Sequence, residues 1–259
     1  MNSLYAILVV YNQCIKDSVT YKFLNKHKDI NVIVCDNSTQ DYKNQSVVKS
    51  DGYTYIDMHG NKGLSKAYNV ALDVLQNKTG YVILLDDDTI LNEEYYNSVL
   101  NLSCDIALPI VMDEKSILSP SKVNDGVVSR WDGQEILKQF TAINSGMIIR
   151  LDIFKTYRYD EHLFLDYVDH NFMMDMQDKD IKILDAKIKQ NFSGNDVSNI
   201  ESSLIRLKIF KKDSKYFYRH NTRKYVFVVL KRNYIYVCNI IVYVFCLLKG
   251  VEFIWQFLL

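Results

Sequence analysis

Apolar residues in the first third of the chain fall into short unbroken blocks, each closed by polar residues. Residues 5–10, Tyr-Ala-Ile-Leu-Val-Val, form one such block ended by Tyr11-Asn12-Gln13, the pattern of a strand buried on both faces of a parallel sheet. A helix follows through Phe23-Leu24, and residues 31–35 make a second buried strand ended by Asp36-Asn37-Ser38. The polar stretch to Ser50 reads as loop or irregular helix. Tyr53 to Met58 gives a third strand. Leu64, Ala67, Tyr68, Ala71, Leu72 and Leu75 stand at helical spacing, and Tyr81 to Leu85 returns to strand. Strand, helix, strand predicts an α/β fold. Ligands of such sheets bind beyond the carboxyl ends of the strands, which places Tyr11, Asp36 and Asp86 to Asp88 along one edge.

The second half has a different rhythm. Shorter strands are expected at Asp105 to Val111 and Ala142 to Arg150, separated by a polar insert with Ser119-Pro120, Asp125-Gly126 and Trp131-Asp132-Gly133. A helix from about Tyr167 or Val168 carries Asp169, Phe172, Met173 and Met176, and Ile181 to Leu184 reads as strand. No internal repeat or low-complexity tract interrupts the pattern. The main boundary falls near residue 200, with a catalytic-sized domain over 1–200 and a basic, then apolar, helical region over 201–259.

Charge sharpens that division. The net charge is zero, yet residues 206–232 carry ten Lys or Arg against the single acid Asp213, while the preceding residues hold 20 bases and 29 acids. A basic segment of this density suits an anionic membrane surface. Residues 233–248 carry no charge but fall short of the roughly 20 apolar residues of a spanning helix. Peripheral attachment through 206–259 is therefore expected, the alternative being a pair of helices folded onto the protein's own core. Five scattered cysteines without Cys-x-x-Cys point to a reducing cytosol, and the N-terminus lacks the basic start of a signal peptide. The expected location is cytoplasmic, on the inner face of the cell membrane.

The chemistry concentrates at Asp86-Asp87-Asp88, directly after the apolar run Tyr81 to Leu85. Three adjacent carboxylates at the end of a buried strand call for positive charge, and a divalent cation bridging phosphates supplies it, since Mg²⁺ or Mn²⁺ takes hard oxygen ligands and keeps room for phosphate oxygens. A nucleoside diphosphate is thereby implied, and the second half of the chain should receive a second substrate. On an extended backbone Asp86 and Asp88 point the same way and Asp87 the other. The plain alternative is a solvated acidic turn capping a helix that starts near Thr89.

The order of motifs resembles the family 2 glycosyltransferases of bacterial polysaccharide assembly, particularly the rhamnosyltransferase-like group. The resemblance covers roughly residues 4–235 and rests on Val-Val-Tyr-Asn at 9–12, Asp36-Asn37-Ser38, Asn61-Lys-Gly63-Leu-Ser-Lys-Ala67-Tyr-Asn69, Asp86-Asp87-Asp88-Thr89, Asn144-Ser145-Gly146 and Phe164-Leu-Asp166-Tyr-Val-Asp169. It implies a GT-A fold, a Rossmann-like, mostly parallel sheet flanked by helices, acting on nucleotide sugars. Asp36 would accept the imide N–H of uracil or thymine, with an Asx-turn as its structural alternative. Tyr11 would support the base or ribose through ring packing. Asn61 and Gly63 would form a tight helix entry where backbone approaches the nucleotide, and Asn69 would face the same cleft. The resemblance gives Asp88 to the metal and Asp86 to the ribose or metal. Asp169 is the candidate general base, taking the proton of an acceptor hydroxyl during a single inverting displacement, with Asp166 as runner-up. Ser145 and Gly146 would line the donor sugar or acceptor.

Relatives often carry a His before a Gly after the strand that follows the base helix, whereas this chain reads Gln190-Asn191-Phe192-Ser193-Gly194, with Asn191 in that slot. His220 likewise stands where relatives have Arg. The implied donor is a UDP- or dTDP-sugar, with rhamnose first and galactose or N-acetylglucosamine open; the implied acceptor is a lipid-linked saccharide. A nucleotidyltransferase or sugar-nucleotide hydrolase lacks support, since no Gly-rich phosphate loop is present. A non-catalytic sugar-nucleotide-binding scaffold is the remaining alternative. Nucleic-acid binding is disfavoured because the aromatics near 206–232 lead into an uncharged apolar run.

Overall fold

The computed structural model describes residues 3–114, 116–124, 127–133, 139–190, 200–234 and 237. It divides into two compact units, Met1–Phe164 with Val168–Asn191, and Leu165–Tyr167 with Phe192–Leu259.

The first unit is built on a mixed sheet. Strands β1 (Leu4–Val10), β2 (Ile30–Asp36), β3 (Thr54–Asp57) and β4 (Tyr81–Asp86) alternate with helices α1 (Val19–Leu24), α2 (Asn44–Ser50) and α3 (Leu64–Val74). Next come β5 (Thr89–Ile90), α4 (Glu93–Val99), β6 (Ile106–Met112), β7 (Ile117–Ser119), β8 (Ser121–Asn124), β9 (Val127–Arg130), β10 (Phe140–Thr141), β11 (Met147–Arg150), α5 (Val168–Asp175) and β12 (Ile181–Gln190). The main sheet runs β3-β2-β1-β4-β11-β6-β12-β5, with β7 added beside β6. This is the α/β architecture of a GT-A fold. The parallel pairings are β3 with β2, β2 with β1, β1 with β4, and β6 with β12; β11 is antiparallel to both neighbours. The sheet is thus less parallel than expected, because β11 arrives from the insert without a crossover helix, and only such a crossover returns a strand in the same direction.

The apolar blocks are strands because they are buried on both faces. All of Tyr81–Leu85 in β4 and Leu4, Ala6, Ile7, Leu8 and Val10 in β1 lie in the core, and each large aliphatic side chain removed from water contributes about 1.5–3 kcal/mol. Two helix starts follow capping chemistry. The Ser18 hydroxyl accepts the N–H of Tyr21 at 3.1 Å to open α1, and Asn92 accepts that of Tyr95 at 2.9 Å to open α4, where Glu93 and Glu94 complement the helix dipole. The polar insert is not a loop: β8 pairs with β9 and β10 in a separate three-stranded sheet.

In the second unit, α6 (Ile200–Phe217) precedes a further helical stretch over 222–234. The buried Asp213 accepts the backbone N–H groups of Leu165 and Asp166 at 2.8 and 2.9 Å, and Tyr167 stacks on Phe217 at 4.6 Å between ring centroids. Among the described residues no helix is long and apolar enough to cross a membrane. Most of the apolar run 233–248 lies outside the described residues.

Candidate active site

Register sets the site. Val9 of β1 pairs with Asp86 and Val10 pairs with Asp36, so both acids end parallel strands on one edge, with only β1 between them; two interstrand steps amount to roughly 10 Å. Tyr11 leaves β1 at this edge and is 51% exposed, its ring open to a ligand. Its loop is fixed by Asn12, whose N–H donates to the Ser38 hydroxyl at 2.9 Å and whose side-chain oxygen accepts the Thr39 N–H at 2.8 Å.

The triplet is clamped from the start of α1. Thr20 Oγ lies 2.7 and 2.8 Å from the carbonyls of Asp86 and Thr89, so that its one hydrogen can serve either, and Ser18 Oγ donates to the carbonyl of Asp87 at 2.6 Å. Asp86 Oδ2 accepts the Ser145 hydroxyl at 2.8 Å and Gln190 Nε2 at 3.4 Å, while the same Nε2 lies 2.7 Å from Asp88 Oδ1. Asp86 and Asp88 therefore face one amide, and the carboxylate of Asp87 instead takes the backbone N–H of Tyr11. Burial lifts the Asp86 carboxyl above its usual range, helped by the charge of Asp169 and opposed by the bonds from Ser145 and Gln190. Burial, then the charge of Asp86, pushes Asp87 up to about 6. Burial together with Asp86 and Asp87 pushes Asp88 up to about 7.

No ion pair reaches these three acids, and no group of three or more His, Cys, Asp or Glu side chains converges, among the described residues. Two converging carboxylates without a protein cation fit Mg²⁺ or Mn²⁺, which binds through one or two carboxylates and takes its other oxygens from phosphates and water. Asn191, the position matching the relatives' His, lies outside the described residues.

Asp169 occupies the first turn of α5, 19% exposed, with Oδ1 accepting the N–H of His170 at 2.8 Å. Its charge acts on Asp86, on Tyr68 and on Tyr159. The two tyrosines lie 5.2 Å apart between ring centroids, and both hydroxyls are buried without a hydrogen-bond partner. The candidate base thus acts through its charge on the first acid of the triplet.

The sequence pattern of the family described as Glycosyl transferase family 2 matches residues 5–178. The chain belongs to glycosyl transferase family 2. It is also similar to the dTDP-rhamnosyl transferase RfbF of Shigella flexneri, 28% identical over 182 residues, which is 65% of this chain and 62% of that protein; the chain therefore spans less than two thirds of that relative's length. Among solved structures, the 4-diphosphocytidyl-2C-methyl-D-erythritol synthase of Anaerococcus prevotii superposes with a TM-score of 0.45 at 10% identity, covering 79% of this chain and 96% of that one.

Within this family 2 chain, several expected nucleotide contacts are occupied by the protein itself. Asp36 Oδ1 accepts the Ser38 N–H at 2.9 Å in an Asx-turn, and Oδ2 accepts Asn44 Nδ2 at 2.8 Å and the Tyr55 hydroxyl at 3.1 Å. Asn61 makes another such turn to the N–H of Gly63 at 3.1 Å. Gly63 (φ 87°) does serve a close approach, but the approaching group is the Phe164 carbonyl, 2.6 Å from where a Cβ would stand. The Asn69 amide is taken up by the Tyr159 backbone and Glu161, so it clamps the 159–161 segment instead of facing a ligand. Asp166 is no free base: Arg206 grips both its oxygens within the second unit. Gly146 (φ 76°) lets Ile188 and Pro109 close over the turn that aims Ser145 at Asp86. Ser18, Thr20, Tyr68 and Gln190 were not expected here. A Ser and a Thr opening a helix look like ordinary caps, and Gln190 arrives only because β12 runs six residues past the apolar core Ile181 to Leu184.

Proposed function

We propose that this protein is an inverting glycosyltransferase that moves a sugar from a dTDP- or UDP-linked donor to a hydroxyl of a lipid-linked saccharide in bacterial surface-polysaccharide assembly. The observation that carries the reading is the juxtaposition of Asp86, Asp88 and Ser145 with the charge of Asp169 at the carboxyl edge of the sheet. Rhamnose is the first donor sugar, in line with the name of the Shigella relative.

Asp88 and Asp86 are the residues that would hold Mg²⁺ or Mn²⁺, whose charge offsets that developing on the departing diphosphate. Ser145 keeps the Asp86 carboxylate aimed at that position. Tyr11 offers its exposed ring to the base or ribose. Asp169 takes the proton from the acceptor hydroxyl as the oxygen attacks the anomeric carbon from the side opposite the leaving group. One displacement of this kind inverts the configuration.

The acceptor reading draws on the second unit. Phe227, Leu230, Tyr234 and Val237 are exposed at three- and four-residue spacing, and Arg223, Lys224 and Lys231 stand among them. A stripe of this kind suits an anionic lipid surface, and it would hold the enzyme where a lipid-carried acceptor lies. A donor screen with dTDP-rhamnose, UDP-galactose and UDP-N-acetylglucosamine, scored by nucleoside diphosphate release with Mn²⁺, tests the function. Release from one donor that rises on adding a polyisoprenyl-linked saccharide is expected; no release from any of them argues for a binding scaffold.

A further inference from the structure

Gln190 stands between the two carboxylates that converge, and its chemistry has two settings. Its Nε2 lies 2.7 Å from Asp88 Oδ1 and 3.4 Å from Asp86 Oδ2, while its Oε1 accepts the Thr89 hydroxyl at 2.9 Å. Backbone pairing of Gln190 with Thr89 fixes this contact, because β12 and β5 run antiparallel in that register. Thr89 is fully buried, so its hydroxyl is shielded from water. A hydroxyl can either donate its one hydrogen or accept through a lone pair, and the terminal torsion of a glutamine is broad and roughly two-fold. Turning the amide over exchanges Nε2 and Oε1 in place: nitrogen then donates to Thr89 Oγ, and oxygen faces Asp86 and Asp88.

We propose that Gln190 is a third protein ligand for the divalent cation, its amide oxygen presented by this reversal and the Thr89 hydroxyl supporting both orientations. Without the cation, the amide N–H groups bridge the two carboxylates; with it, a hard amide oxygen completes the protein share of the coordination. The proposal rests on the reading that Asp86 and Asp88 hold a cation.

The test is Mn²⁺ binding to the full chain without nucleotide, followed by the electron paramagnetic resonance signal of free Mn²⁺. Gln190→Leu should weaken Mn²⁺ by ~10- to 100-fold and Thr89→Val by less, on the scale seen when groups supporting a metal site are removed. Gln190→Glu, which keeps the side-chain shape and supplies a charged oxygen, should bind at least as tightly as the wild type. This variant also decides the matter should Gln190→Leu fail to fold. Mn²⁺ bound by Gln190→Leu as tightly as by the wild type, weakened binding in Gln190→Glu, or a wild type that takes up no Mn²⁺ would overturn the assignment. Mn²⁺ uptake that depends on Gln190 in a protein releasing no nucleoside diphosphate supports the ligand and removes glycosyl transfer instead.

Discussion

Asp169 and Asp88 carry opposite demands. A base must be ionised and reach an acceptor hydroxyl, and its removal costs the proton-transfer contribution, about 10²- to 10⁴-fold. Asp169→Asn should therefore lower transfer by about that factor and leave the dissociation constant for dTDP or UDP, measured by calorimetry, unchanged; unimpaired transfer would remove it from the mechanism. Asp88 is a charge held at a cost. Its carboxyl is pushed up to about 7 and that of Asp87 to about 6, against roughly 3.9 for an unfolded Asp. Below that unfolded value both states are protonated. Between about 4 and 7 the folded state binds more protons, so stability falls as pH rises through this window. In EDTA, the Tm of the wild type should drop from pH 5 to pH 8, and Asp88→Asn should flatten the drop while abolishing transfer. An unchanged slope in Asp88→Asn would show that burial of this carboxylate is not the cause.

At the scale of elements, β1, β2, β4 and α3 were legible because continuous burial and helical spacing each leave one pattern in the residues. The insert was not: β8 to β10 are short, mix polar with apolar residues and pair with each other, while the three-residue β7 pairs with β6, so neither an apolar run nor clean alternation announces them. Thr89 and Ile90 hid in the same way, a two-residue strand where a helix start was the simplest alternative. Side-chain roles were legible as places more than as partners. Asp36 sits at the end of β2 and Gly63 opens α3, yet their present contacts are Ser38, Asn44 and Tyr55 for one and Phe164 for the other, which only the packing of distant segments decides. Gly63→Ala forces a Cβ against the Phe164 carbonyl at positive φ, a strain of about 1–3 kcal/mol. Urea denaturation should show that loss, and wild-type stability in this variant would mean that the segment around Phe164 yields freely. Ser18→Ala removes a cap worth about 1 kcal/mol together with the bond to the Asp87 carbonyl, so it should lower both stability and donor turnover, whereas a simple cap would lower stability alone.

For the whole molecule, a neutral sum conceals an acidic first unit and a basic second one, and the division at 191/192 stands near the change in composition. Flotation with vesicles containing anionic lipid should carry the full chain upward, and Phe227→Glu with Leu230→Glu should return it to the soluble fraction; a wild type that never floats contradicts the membrane role. The central claim is that the carboxyl edge of the sheet binds an activated sugar between Tyr11 and the acidic triplet, with Asp169 facing the anomeric carbon. A crystal structure with dTDP or UDP and Mn²⁺ tests it most directly. The diphosphate should lie against Asp88 and Asp86, with the base beside Tyr11 and Asp36; a nucleotide seated elsewhere, leaving the triplet bare, would contradict it.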